Sequence, residues 1–161
     1  MAKNKICLRD YVKEGCIFEI KQKTKSEVLK FIANRLKDLS FVDSDSDVEK
    51  IYEKLIEREN LGSTGIIRHI AIPHCKTDEI NTDMVILVGY SIDGIDFNSH
   101  DGKAVHFVFA VFTRKNKVTL HLGALAAISR LISKHSISSR VKEFLSTEKL
   151  REIVETCEYE I

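Results

Sequence analysis

The residues best suited to chemistry fall in two stretches and one later position. Glu57-Arg58-Glu59 runs into the turn Gly62-Ser63-Thr64-Gly65, and Ile70-Ala71-Ile72-Pro73 leads into His74. His121 stands just ahead of Leu122-Gly123-Ala124-Leu125-Ala126. A neutral imidazole is a good nucleophile, and an ordinary pKa of about 6.5 leaves it mostly neutral near pH 7. Arginine offers a planar, permanently charged fork for anionic oxygens. The Gly62–Gly65 turn offers hydroxyls and bendable backbone, enough for a small anion-binding loop. Pro73 fixes φ just before His74 and would help to aim its ring.

Plainer readings stand beside these. His74 could be a structural histidine at a strand end, Arg58 a solvated helix residue, and His121 a helix cap. His69, His74 and Cys75 lack the matching distant pair that a zinc site needs. A Cys75–His74 nucleophile pair is geometrically poor, because neighbours in a strand point to opposite faces. His100, His106 and His135 form no constellation.

The elements that must position these groups can be read from capping signals and hydrophobic period. Thr24-Lys25-Ser26-Glu27 reads as a capping box. It is followed by a 3.6-period apolar face of Val28, Leu29, Ile32, Ala33, Leu36 and Leu39. Ser46-Asp47-Val48-Glu49 repeats the signature before Val48, Ile51, Tyr52, Leu55 and Ile56, a helix expected to stop near Gly62. Ile70–Ile72, Met84–Tyr90 and His106–Phe112 are runs of strand length rich in β-branched or aromatic residues. The last two are apolar nearly throughout and read as central strands covered on both faces. Asp93-Gly94 and Asp101-Gly102 mark turns between them. Helical pattern returns over about Val118 to Ser133, and two shorter helices are expected around Ser139 to Leu145 and Glu148 to Thr156. The order β-α-α-β-β-β-α-α-α predicts an α/β fold, a three-layer α/β/α sandwich with a mixed sheet.

The whole chain bounds the function classes. Its 161 residues suit one compact domain over 1–161, long enough to bury a core without staples. Hydrophobic residues at 43% and charged residues at 30% are the balance of an ordinary globule. With 25 basic against 24 acidic residues the net charge is +1, with no basic stripe for nucleic acid. No apolar run approaches the roughly 18 residues of a membrane span. The N-terminus lacks the hydrophobic stretch of a signal peptide. A cytoplasmic protein with four free thiols, Cys7, Cys16, Cys75 and Cys157, is expected.

From roughly Leu8 to Val154 the sequence resembles the IIA domains of the fructose/mannitol type of the sugar phosphotransferase system, including their nitrogen-regulatory relatives. In those proteins an E-R-E segment leads to an S-T-G turn and then to I-A-I-P-H, and a later histidine opens a helix in the pattern H-L-x-x-L-A. The resemblance implies that His74 is the phosphoryl acceptor, assisted by Arg58 and His121, with Ser63, Thr64 and Gly65 binding phosphate. The implied activity is a phosphotransferase acting on protein phosphohistidine. The implied donor is phospho-HPr or a nitrogen-branch paralogue, and the implied acceptor is a IIB domain. The alternative is a regulatory IIA protein that controls target proteins by its phosphorylation state. Neither cofactor nor metal is expected, nor nucleic acid or membrane insertion.

Phosphoryl transfer asks mainly for in-line positioning and charge neutralisation, which a guanidinium and a histidine in the first turn of a helix can supply. A phosphate on His74 is expected to be surrounded by Arg58, Arg68, His69 and Lys76. One stretch departs from the family pattern. Relatives usually carry G-I-G-x-G-I-A, where this chain has Ile67, Arg68 and His69 before Ile70. The lost glycines suggest a different loop path, and Arg68 and His69 would enlarge the positive field at the site.

Overall fold

The computed structural model describes residues 5–160. Its main sheet is mixed. The short strand β2 (Ile17–Glu19) runs parallel to the long β5 (Met84–Ile95), and β5 pairs antiparallel with β6 (Val105–Thr113). On the other edge of β6 lie β3 (Ile70–Ala71) and β4 (His74–Lys76), both parallel to it. Consecutive residues of the two long strands, Val85–Val88 and Phe107–Phe112, are all buried. A strand buried on both pleat faces must be covered on both sides, as the apolar runs predict.

Four α-helices supply that cover: α1 (Lys25–Asp38), α2 (Asp45–Asn60), α3 (Val118–Lys134) and α4 (Thr147–Glu155). Helix α2 packs on α1 and on β4, while α3 packs on β6 and α4 on β2. The first two turn the predicted faces inward, burying Val28, Leu29, Ile32, Ala33 and Leu36 on α1 and Val48, Ile51 and Leu55 on α2. At the start of α1 the Thr24 hydroxyl donates to the Glu27 carboxylate at 2.8 Å. Helix α2 begins earlier than its capping signature suggests. Ser44 is the cap, its hydroxyl accepting from the Asp47 amide at 3.1 Å, so Ser46 lies within the first turn. The helix ends at Asn60, and Gly62 follows at φ 153°. Among the described residues no helix is long and apolar enough to cross a membrane, and all four cysteines are free.

Several features differ from the expected order, the extra strand β4 (His74–Lys76) among them. The stretch around Ser139 to Leu145 is not a helix but two 3₁₀ turns, Ile137–Ser139 and Val141–Phe144. It buries only Ile137 and Phe144, too little apolar stripe to sustain a helix of that length. A second, two-stranded sheet joins β1 (Lys5–Cys7) to β7 (Glu158–Glu160), antiparallel across the length of the chain. Three-residue strands carry almost no periodic signal, and this pairing depends on packing against α3.

Candidate functional site

The site forms where β4 meets α3 and the turn after α2. Pro73 has no amide to give the strand ladder, and it separates β3 from β4. The Ile72 carbonyl beside it accepts a hydrogen bond from Nδ1 of His74 at 2.8 Å. A carbonyl can only accept, so Nδ1 carries the proton and Nε2 of His74 holds a free lone pair. The Pro73 carbonyl accepts from the Val111 amide at 3.0 Å, which anchors the strand carrying that ring to the sheet. His74 is half-buried, and burial is the main force lowering its pKa. The Arg58 charge lowers it too, against opposing effects of the Ile72 hydrogen bond and Glu59. The neutral, nucleophilic form is therefore favoured.

His121 sits in the first turns of α3 with its ring centroid 5.5 Å from that of His74, at an interplanar angle of 59°. It is only 6% exposed, and its Nδ1 lies 2.9 Å from the Thr113 hydroxyl. Burial first, then the charges of His74 and Lys76, push its pKa down to about 4. Lys76 is two residues after His74 on β4 and so projects to the same face. Arg58 closes the other side of the site, its guanidinium donating to the Gly62 carbonyl at 2.9 Å.

The turn Ser63–Gly65 is held by internal bonds. The buried Glu59 carboxylate accepts from the Thr64 hydroxyl and from the Thr64 amide at 3.2 Å, and it pairs with Lys25 at 2.9 Å. The Thr64 hydroxyl is thus committed to Glu59. Ser63 donates weakly to the Phe97 carbonyl at 3.3 Å and accepts from the Gly65 amide at 3.1 Å. A Cβ on residue 65 would stand 2.5 Å from the Ser99 hydroxyl, so a larger residue there requires that side chain to shift. Sequence reasoning gave no site role to Lys25 or Thr113, and took Glu59 only as part of the E-R-E segment. Glu59 lies inside the E-R-E segment, and Thr113 merely ends an apolar run, so neither Thr113 nor Lys25 carries a readable signal.

Arg68 and His69 are not at this site. His69 precedes Ile70, whose register partner is Phe107, whereas His74 pairs with Val111. Four positions along β6 separate the two, on the order of 13 Å at the usual strand rise. His69 Nδ1 donates to the Ala104 carbonyl at 2.8 Å, and its ring packs 5.6 Å from that of His106. With Arg68 it lines a shallow cleft of about 430 Å³ against Ser138, Arg140 and Lys142. His69 also takes φ 66°, a left-handed conformation natural to glycine. The backbone therefore turns here without glycine, and Arg68 and His69 face a different surface.

Exposed apolar side chains lie on the segments that flank the histidines. Leu61 is 86% and Ile66 67% exposed on the turn beside Ser63–Gly65, and Leu122 is 61% exposed next to His121, with Val118 one turn earlier. Clustered exposed apolar side chains around polar reactive groups mark a surface for protein contact. Among the described residues no three His, Cys, Asp or Glu side chains gather to hold a metal ion.

Residues 10–157 match the family described as phosphoenolpyruvate-dependent sugar phosphotransferase system, EIIA 2. The fructose-specific EIIABC component of the phosphotransferase system from Bacillus subtilis is 34% identical over 68% of this chain, a match spanning 17% of that longer relative. A nitrogen regulatory protein from Pseudomonas aeruginosa is 30% identical over 81% of this chain and 82% of its own length. The mannitol enzyme IIA from Escherichia coli, solved in complex with phosphorylated enzyme IIB, superimposes with a TM-score of 0.69 at 20% identity, covering 88% of this chain and 95% of that one. That likeness supports the fold, and the family match over residues 10–157 includes the stretch carrying His74 and His121. The chain belongs to the EIIA 2 family of the phosphoenolpyruvate-dependent sugar phosphotransferase system.

Proposed function

We propose that this chain is a phosphoryl carrier that accepts a phosphoryl group on Nε2 of His74 and passes it to a second protein. The observation that carries the reading is the hydrogen bond from Nδ1 of His74 to the Ile72 carbonyl, which leaves Nε2 as the one lone pair of a neutral imidazole. That lone pair attacks phosphorus on a phosphohistidine donor. The new N–P bond forms as the donor's N–P bond breaks, and the donor imidazole leaves with the bonding pair. No nucleotide takes part, so charge neutralisation falls to side chains. Arg58 and Lys76 flank the incoming dianion, and His121 can donate to one of its oxygens. Ser63, held only by a long hydrogen bond, is the hydroxyl of the turn most easily redirected, while Thr64 and Gly65 set the shape of the loop.

The donor by family resemblance is phospho-HPr or a nitrogen-branch paralogue, and the acceptor is a IIB domain. The apolar rim of Leu61, Ile66, Val118 and Leu122 serves both encounters in turn, since both partners must reach the same Nε2. A regulatory role, in which the phosphorylation state controls other proteins, draws on the likeness to the nitrogen regulatory protein over most of both chains. Incubation with a radiolabelled phosphohistidine donor tests the carrier reading. One acid-labile phosphoryl group per chain is expected, absent in His74→Ala, and full labelling of that variant would sink the assignment. Chasing the label into a IIB domain then separates transport from regulation.

A further inference from the structure

The reading above asks His121 to donate a hydrogen bond, and a neutral imidazole can do so from Nε2 only in one of its two tautomers. We infer that Thr113 is a positioning residue that fixes His121 in the Nε2–H tautomer, the opposite of the tautomer held by His74. The inference rests on the proposed carrier function but is read from hydrogen bonds alone.

Thr113 closes β6 and is fully buried. Its backbone is pinned on both sides by register with Lys76 and Met84, and its carbonyl accepts from the Thr77 amide at 2.8 Å. Its hydroxyl has one partner among the described residues, Nδ1 of His121 at 2.9 Å. Two arrangements are possible. If Nδ1 carried the proton, the hydroxyl would accept, and its own proton would be left buried with no acceptor and no access to water. Proteins avoid such orphaned donors. If the hydroxyl donates to the Nδ1 lone pair, both atoms are satisfied and the ring proton sits on Nε2.

The two histidines then have complementary edges. Ile72 offers His74 a carbonyl, which only accepts, and so exposes a lone pair at Nε2. Thr113 offers His121 a hydroxyl with a proton to give, and so exposes an N–H at Nε2. One ring is the nucleophile, and the other is a donor for an oxygen of the phosphoryl group once it arrives. The opposite tautomer of His121 would set a lone pair against those oxygens and repel them. Thr113 touches no transferred atom and acts only through His121.

Nitrogen-15 NMR of the histidine rings in the unphosphorylated full chain tests this without any transfer reaction. The expected spectrum shows the proton on Nε2 of His121 and a hydrogen-bonded, unprotonated Nδ1. In Thr113→Val, which keeps the shape and removes the hydroxyl, the Nδ1 resonance should move to that of a nitrogen without a donor. Phosphoryl transfer should then slow by about fivefold, the weight of one ordinary hydrogen bond. Thr113→Ser should restore both. A proton on Nδ1 in the wild type overturns the inference, as does an unmoved Nδ1 resonance in Thr113→Val. A shifted resonance with wild-type transfer overturns the positioning role. If Thr113→Val does not fold, the wild-type spectrum decides. A His74 that proves not to be phosphorylated would leave this spectrum unchanged, so the two readings fail separately.

Discussion

Lowering the pH should destabilise this protein through His121. In the folded chain burial holds its pKa near 4, against an ordinary value of 6.5. Above about pH 6.5 the ring is neutral in both folded and unfolded chains, and the pH has no leverage through it. Between pH 6.5 and 4 the unfolded chain takes up a proton that the folded chain refuses, so stability is lost as pH falls. The gap of about 2.5 in pKa, at 1.36 kcal/mol per unit, corresponds to about 3 kcal/mol lost on going from pH 7 to pH 4. That is a large part of the 5–15 kcal/mol of a typical domain. Replacing His121 by glutamine removes the titrating group, while carboxylates elsewhere remain common to both proteins. Urea unfolding of wild type and His121→Gln across this pH range measures the difference directly. The wild type should lose about 3 kcal/mol more than the variant over the range. Parallel stability curves for the two proteins would refute the claim that the ring is held neutral by burial.

The other predictions concern single side chains. Arg58→Ala should keep the fold and slow phosphoryl transfer about a hundredfold, and Arg58→Lys should recover only part, since lysine lacks the planar fork; quench-flow transfer rates check both. Glu59→Gln should lower stability by about 2 kcal/mol or more in chemical denaturation, because it leaves Lys25 without its partner beside a buried amide. Lys76→Glu should slow transfer from the donor more at low salt than at high salt, whereas Arg68→Glu should leave the rate unchanged at every ionic strength. Equal salt responses in those two variants would contradict the placement of Arg68 on the far cleft.

How much of this was legible in the sequence depended on how far each contact reaches along the chain. Helices α1 and α2, and the two buried strands β5 and β6, announce themselves because their period or apolar run is local. His74 and His121 lie side by side as the family resemblance implies, with the Arg58 charge acting on His74. The short β1–β7 sheet is different. It joins residues from opposite ends of the chain, and three-residue strands have no period to read. The Arg68 and His69 placement was misjudged because closeness in sequence to His74 suggests closeness in space. A strand rises about 3.3 Å per residue, so five positions carry a side chain to the far end of the sheet. Thr113 matters through a partner eight residues away, and Glu59 through Thr64 five residues on and Lys25 on α1, and no composition or period signals those contacts.

Phosphoryl transfer through this site requires that Nε2 of His74 receive the phosphoryl group while Nδ1 stays bonded to the Ile72 carbonyl. Phosphorus and nitrogen NMR on the chain phosphorylated by its protein donor reads the attachment atom directly. The expected result is a single N–P bond, at Nε2 of His74, with the Nδ1 proton retained. Phosphate on Nδ1 of His74, or on His121, would contradict it.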